Sequence, residues 1–438
     1  MSQSNWCFRN TLSYVLLSAM SLSAITSSTA HAQLGGTSVK YFGYYGSNVD
    51  LAGVSTSSNV AMVYAGSSVR ISQAAALNMK SIATLGSSGM FTPAMALASN
   101  YPAIWSGLVS QMTSAGLSNI AALYLPDEPY WNATLMCASS PSTCQSQYQV
   151  YNSLNTIIGL IRSTPGFESI PIAINFAAPS VNASLLIPPR ADWIGFDCYG
   201  SMTNCMGYSI AHYISVLKSK LSVNQRLFAV PEGVINVANS STVPSLMDRA
   251  NLYKRIQQYV ALIASEPRFI AVLPFRWSSG ANSDGTYMLG VTDMPPIKQL
   301  YRSVGQSVLN RWMRVNPVYR FYYPGTGEHF FSNSFAEGIL AGFNYEGGAF
   351  STFANPVSGT SPIYRCYNVG AKHFVSRDPN CEGARTEGLY GYIYTSPAAG
   401  NPLYRWQDYG LSDYLETVDP TSLQPYGYGL TQILGGTP

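Results

Sequence analysis

Short apolar runs recur along the first three hundred residues, at about 40–46, 59–65, 80–86, 120–126, 171–177, 192–198, 226–232 and 269–276. Each ends in a turn residue or a polar cluster and lacks strict alternation, as expected of strands buried on both faces. Between them the period changes to helical, most clearly at Trp105 to Ala115, Tyr148 to Arg162, Ile210 to Leu221 and Ser245 to Ala264. Eight alternations of strand and helix in about 270 residues predict an α/β fold, a closed parallel (β/α)8 TIM-like barrel. The first and fifth crossovers carry weak helical patterns, so the expected barrel is irregular.

Near residue 311 the pattern changes to Tyr- and Gly-rich strand segments with no convincing helix, which makes Arg311 to Pro317 the expected linker. Three units follow, opened by Val318-Tyr319-Arg320, Ile363-Tyr364-Arg365 and Leu403-Tyr404-Arg405. Glu328-His329-Phe330, Lys372-His373-Phe374 and Ser412-Asp413-Tyr414 hold matching places, and Gly347, Gly388 and Gly429 recur at a constant spacing. Units of about forty residues are too small to bury a core singly, so they should pack about a pseudo-threefold axis. The expectation is a C-terminal all-β three-repeat domain, β-trefoil-like, or a small irregular β-domain. The domains are then residues 33–310 and 311–438.

The N-terminus adds a compartment. Arg9, an apolar stretch from Leu12 to Ile25 and the small-residue site Ala30-His31-Ala32 read as a signal peptide over residues 1–32, cut before Gln33. The mature protein is expected to be secreted, extracellular or periplasmic, with no membrane span. Six cysteines remain after Cys7, in three close pairs: Cys137 with Cys144, Cys198 with Cys205 and Cys366 with Cys381. Such spacing points to disulfides, with other connectivities open. The four histidines lie near no Cys-x-x-Cys, which argues against zinc, and no cofactor is expected. A net charge of +3 without a basic cluster gives no sign of nucleic acid binding, and the chain is expected to be monomeric. With 10% charged residues and 31 Tyr, the surface suits neutral hydroxylated ligands, or is an ordinary secreted β-rich surface.

Candidate chemistry sits at strand exits. Glu128 follows the fourth apolar run in Leu125-Pro126-Asp127-Glu128-Pro129, and Glu232 closes the seventh in Val230-Pro231-Glu232. Carboxyls at the exits of strands 4 and 7 can face each other across a barrel mouth, where one protonates a glycosidic oxygen and the other attacks the anomeric carbon. The bland alternatives are that Glu128 caps the following helix and Glu232 pairs with an Arg. Strand 6 ends Asp197-Cys198-Tyr199, and alternation sends Asp197 and Tyr199 to one side. Asp197 binds a sugar hydroxyl or a neighbouring Arg or amide. Trp277, after strand 8, is a sugar platform or a core residue, and Arg276 can orient a carboxylate. Tyr45 and Trp131 are candidate subsite walls.

Asp127-Glu128-Pro129 resembles the Asn-Glu-Pro motif of clan A glycoside hydrolases, retaining enzymes on a (β/α)8 barrel. That resemblance, over about residues 38–305, implies Glu128 as acid/base, Glu232 as nucleophile, Tyr199 donating its hydroxyl to Glu232, and an aromatic platform at Trp277. Asp127 departs from the family's Asn; an ionised Asp only accepts hydrogen bonds, and a second carboxylate would raise the pKa of Glu128. The Tyr-Arg and Gly-x-His-Phe pattern resembles the DUF5648 module of secreted bacterial hydrolases, implying carbohydrate binding or adhesion. Within each unit, Tyr319, Arg320 and His329 are expected to satisfy one another. The competing readings are a non-catalytic carbohydrate-binding or surface protein with a degenerate barrel, and a chitinase-like hydrolase using the substrate's acetamido group. No Gly-x-Ser-x-Gly elbow supports a serine hydrolase.

Overall fold

The computed structural model describes residue 34 and residues 37–46, 49–281, 285–309, 315–368, 372–408, 410, 412–419 and 427–438. The signal peptide expected over residues 1–32 lies outside these. Eight parallel strands form one sheet: β1 (Tyr41–Phe42), β2 (Val60–Tyr64), β3 (Lys80–Thr84), β4 (Ile120–Tyr124), β5 (Ile172–Ala177), β6 (Trp193–Asp197), β7 (Arg226–Val230) and β8 (Phe269–Val272). Each coincides with one of the eight apolar runs. Strand pairing follows the order β1-β8-β7-β6-β5-β4-β3-β2, so the ladder is open only between β1 and β2.

Asn59 sutures that seam. Its backbone N–H donates to Phe42 O at 3.0 Å, its Oδ1 accepts from Phe42 N–H at 2.9 Å and its Nδ2 donates to Lys40 O at 2.8 Å. Gly43 allows the approach, because a Cβ there would sit 2.3 Å from Val60 O. The result is a nearly closed barrel.

Helices pack outside it. They are α1 (Leu51–Ser55), α2 (Ser68–Ala76), α3 (Tyr101–Ser114), α4 (Pro129–Ser139), α5 (Gln147–Arg162), α6 (Ile210–Lys220), α7 (Leu246–Ser265) and α8 (Pro295–Leu309). The first crossover holds only the five-residue α1, and the fifth only a 3-10 turn at Ala178–Ser180. Both were weak in the sequence. Local signals set the longer helices: Ser146 with Gln149 and Ser245 with Asp248 form reciprocal capping boxes at the starts of α5 and α7. On α7, Leu252, Tyr253, Ile256, Tyr259, Val260 and Ile263 make the buried stripe.

Period-2 alternation then separates an inner from an outer core. Val60, Met62, Ile82, Ala122, Tyr124, Ala173, Trp193, Phe228, Val230 and Leu273 fill the barrel, while Leu123, Ile174, Ile194, Phe196, Leu227 and Ala229 face the helices. Gly195 makes room inside, since a Cβ there would meet the Phe228 ring at 2.5 Å. Toward the C-terminal ends of β5 and β6, and just past that of β7, the inward series becomes polar at Asn175, Asp197 and Glu232.

The C-terminal residues form nine strands: β9 (Val315–Tyr323), β10 (Glu328–Ser332), β11 (Asn344–Phe353), β12 (Thr360–Tyr367), β13 (His373–Ser376), β14 (Arg385–Tyr394), β15 (Asn401–Asp408), β16 (Asp413–Thr417) and β17 (Tyr428–Thr437). In every unit the first strand pairs antiparallel with the second and third: β9 with β10 and β11, β12 with β13 and β14, β15 with β16 and β17. Register shifts bracket each Tyr-Arg dipeptide at the same two places. The motif therefore marks a doubly irregular strand segment.

Several sequence expectations change here. Val315 to Pro317 already belong to β9, so the linker does not extend to Pro317, and residues 311–314 lie outside the described residues. A short helix, α9 (Phe335–Leu340), interrupts the first unit. Gly347 and Gly388 lie opposite Arg320 and Arg365, but Gln432 lies opposite Arg405 and Gly429 faces Gln407. The constant glycine spacing is thus not structural equivalence in the third unit. His329 is satisfied both across units and within its own: its Nδ1 lies 2.5 Å from Asp413 Oδ2 and its Nε2 3.5 Å from Glu346 Oε2, which Arg320 also contacts, while His373 Nδ1 lies 2.6 Å from Glu328 Oε1. Arg365 likewise reaches back to Glu337, and Arg405 to Glu382. Tyr319, the other member of the expected cluster, instead packs on Tyr253 of α7 and donates to Pro296 O at 3.4 Å. The first repeat and the barrel therefore share one apolar core through Tyr253, Tyr319 and Phe335.

Candidate functional site

The C-terminal strand exits open into a cleft of about 1210 Å³. Its walls include Tyr45, Asp127, Glu128, Trp131, Asp197, Tyr199 and Glu232, so seven of the eight substrate-site candidates read from the sequence meet there. Trp277 does not.

Glu128 stands between β4 and α4 with φ 42 and ψ 51, a left-handed conformation unfavourable for a residue with a side chain. Pro129 starts α4, yet Glu128 makes no side-chain cap to it. The helix-capping alternative is thereby removed. Strain of this kind persists where surrounding structure over-determines it, and it concentrates at functional sites.

What the turn achieves is contact with a second carboxyl. Glu128 hydrogen-bonds Asp197. Burial raises the pKa of Glu128 most, followed by the charge of Asp197, its hydrogen bond and the charge of Asp127. Burial also raises Asp197, against hydrogen bonds from Glu128, Tyr199 and Asn175 that favour its charged form. Asp197 Oδ1 is buried and finds no donor among neighbouring N–H and O–H groups. A protonated Glu128 supplies one. Two adjacent carboxyls sharing one proton satisfy both observations.

Asp127 anchors the floor. Its Oδ1 accepts from Tyr124 OH at 2.8 Å and from Asn175 Nδ2 at 3.3 Å, and Tyr45 OH lies 2.5 Å from Tyr124 OH. The same buried amide favours the charged form of Asp197.

Glu232 is held from a different side. Nε and Nη2 of Arg255, on α7, each lie 2.9 Å from its Oε2, and the Gly200 N–H donates to its carboxyl. Tyr301 OH donates to its backbone carbonyl at 2.5 Å. Burial raises the Glu232 pKa, while Arg255 and Gly200 oppose the rise. The expectation of an Arg partner is met, but that Arg lines the same cleft. Pairing and exposure to ligand therefore coexist.

Three placements differ from expectation. Tyr199 donates to Asp197 Oδ2 at 3.1 Å rather than to Glu232. Arg276 donates to Ser278 O at 2.6 Å and, among the described residues, orients no carboxylate. Trp277 is buried against Tyr44, at a ring separation of 4.6 Å, with Lys298 over its ring. The pairing of β7 with β8 ends at the Glu232–Phe275 bridge, so strand alternation cannot be extrapolated to residue 277. Phe275 takes the aromatic position instead, stacked on Tyr199 and edge-on to Tyr45.

Arg255, Asn175 and Phe275 are the residues that sequence reasoning missed. Asn175 alone gave a signal, as the one amide in the apolar run Ile172–Ala177. Disulfides join Cys137 to Cys144 and Cys198 to Cys205 beside the exits of β4 and β6, and Cys366 to Cys381 in the second repeat. None of the described helices is long and apolar enough to cross a membrane.

Residues 298–382, and again 317–424, match the family model described as Domain of unknown function (DUF5648), the family read from the repeats. No curated protein matches the chain. Among solved structures, a Bacteroides uniformis beta-glucuronidase superposes with TM-score 0.46 and 8% identity over 61% of this chain and 33% of that one. Saccharomyces cerevisiae Gas2p in complex with laminaripentaose gives TM-score 0.36 and 13% identity over 58% of each chain. Bacteroides uniformis beta-glucuronidase 2, covalently bound to cyclophellitol-6-carboxylate aziridine, gives 0.45 and 9% over 75% and 42%. The matched region spans less than two thirds of each of these proteins.

Proposed function

We propose that the protein is a secreted glycoside hydrolase of retaining mechanism, with Glu128 as acid/base and Glu232 as nucleophile. The observation that carries this reading is the different setting of the two glutamates in one cleft: burial and the neighbouring Asp197 raise the pKa of Glu128, whereas Glu232 is ion-paired with Arg255. Acid and nucleophile need opposite protonation states at one pH, and environment supplies the difference. In the first step Glu232 attacks the anomeric carbon while Glu128 gives its proton to the leaving oxygen. In the second, Glu128 takes a proton from a water whose oxygen bonds to the anomeric carbon as the bond to Glu232 breaks. Tyr199, through Asp197, holds the acid in place, and Phe275, Tyr45 and Trp131 offer ring faces to sugar C–H groups.

Three disulfides, two of them bracing the loops around the mouth, accord with export to an oxidising compartment. For the repeats we propose a β-trefoil, since β10, β13 and β16 are joined pairwise by His329–Asp413, His373–Glu328 and Val375–Glu416. Their role would be binding of polymer or surface.

One observation favours a second mechanism. The partner of Glu128 is Asp197, which suits chemistry in which the substrate's own acetamido oxygen attacks and Asp197 orients it. The Glu232→Gln variant separates the two mechanisms on a polysaccharide panel. Loss of released reducing ends supports Glu232 as nucleophile; retained turnover that requires N-acetylated sugars supports the second. Retention on polymer without cleavage by the unaltered protein would leave only a binding function.

A further inference from the structure

We propose that the cleft takes the interior of a glycan chain whose sugars carry free amino groups, and selects against chains bearing carboxylates or sulfates. The inference rests on the hydrolase reading of the same site and names its substrate class.

Charge is the first argument. Asp127, Glu128, Asp197, Glu232 and Asp248 present five carboxyl groups to the cleft, against the single guanidinium of Arg255 among the described lining residues. That guanidinium is already committed, with two nitrogens on Glu232 Oε2. No lining cation remains to receive an acidic sugar. A cleft lined by one sign of charge concentrates the opposite sign, and like charges placed face to face reject a partner.

Size and layout are the second. A volume of about 1210 Å³ lies above the roughly 300–1,000 Å³ usual for a single small ligand. Besides the reacting carboxyls, the cleft is lined by Asn236 and Thr242 and by Asp248, Asn251 and Arg255 of α7. These three α7 residues, spaced i, i+3 and i+7, lie on one helical face. Asp248 stands about 10 Å along the axis from Arg255, so it meets a different sugar of the same chain from the one at Glu232. Its capping contacts with Ser245 use Oδ2 alone. An ammonium is a compact triple donor suited to such a carboxylate. A free amine also lacks the acetamido oxygen needed for self-attack, so a chain of this class requires a protein nucleophile, which is the role given to Glu232.

The test uses the full chain as the Glu232→Gln variant, titrated calorimetrically with linear glucosamine oligomers, their N-acetylated counterparts and galacturonate oligomers, at low and raised salt. The amine oligomers should bind about tenfold tighter than the acetylated ones, galacturonate should not bind, and the preference should shrink with salt. A further Asp248→Asn change, which keeps a capping side chain, should reduce the preference about threefold with an unchanged Tm. Equal affinity for amine and acetylated forms, binding of galacturonate, or no binding of the amine oligomers overturns the proposal. Amine-selective binding without cleavage by the unaltered protein would remove the hydrolase reading and leave the charge preference standing. Cleavage of neutral glucans without preference for amines would do the reverse.

Discussion

Glu128 and Asp197, 69 residues apart in sequence, bring their carboxyls into hydrogen-bond contact at the exits of β4 and β6, and Tyr199 donates to Asp197 beside that contact. The consequence is an acid that keeps its proton above the ordinary carboxyl range. Asp197 need not touch substrate to matter.

The Asp197→Asn variant tests this. Losing the neighbouring negative charge removes a cause that raises the Glu128 pKa, so Glu128 releases its proton at lower pH. The alkaline limb of the kcat/KM profile should therefore move to lower pH. An unmoved limb with reduced kcat would mean that Asp197 acts on substrate alone.

Glu128→Ala should lower kcat by about 10²–10⁴-fold on a substrate with a poor leaving group, the range for loss of general acid catalysis. With an activated leaving group the loss should be smaller, and added azide should restore part of the second step. Full activity in this variant would exclude the acid/base role.

Arg255 makes the complementary prediction. It opposes the burial-driven rise in the Glu232 pKa. In Arg255→Met the pKa should rise further, and since the nucleophile must be ionised, the acid limb should shift to higher pH. Circular dichroism on the same sample separates this from unfolding of α7. The signature of a positioning role is a moved acid limb with an unmoved alkaline one.

The repeats should respond to pH in their own way. Burial disfavours charge on His329 and His373, but the hydrogen bonds that His329 donates to Asp413 and Glu346, and His373 to Glu328 and Glu387, raise both pKa values. A histidine whose folded pKa is raised contributes stability that is complete below its unfolded pKa and is lost as pH climbs through the folded value. Tm should therefore fall as pH rises above the ordinary histidine range. His373→Asn should flatten that slope; an unchanged slope in the variant would show that the interlocking carboxylates do not depend on the imidazolium.

Much of the barrel was legible because strands buried on both faces leave continuous apolar runs, and the inward series that places Asp197 follows from period 2. Arg255 was not, because an arginine on an amphipathic helix looks the same whether it faces solvent or a carboxylate. Nor was Gln432 as the partner of Arg405, since an unrelated glycine, Gly429, keeps the sequence spacing while facing Gln407. The cross-unit pairing of His329 with Asp413 was hidden for a related reason: matching positions in a repeat show equivalence, not which copies touch.

Trp277 and Phe275 give the last contrast, because the clan A resemblance pointed to Trp277 and the fold delivers Phe275. Trp277 is 3% exposed, packed on Tyr44 beside α1 and outside the cleft, whereas Phe275 lines it. Truncating a fully buried Trp costs about 3–5 kcal/mol, so Trp277→Ala should lower Tm strongly. Oligosaccharide affinity measured well below that Tm should change little. Phe275→Ala should act the other way round in binding: it removes the ring that stacks on Tyr199, which loosens the hydroxyl on Asp197 as well as the apolar face offered to sugar. Its KM should rise, and the alkaline limb set by Glu128 should shift, while the Trp277→Phe variant keeps both. If Trp277→Phe alone weakens sugar binding at unchanged Tm, the aromatic platform has been assigned to the wrong residue.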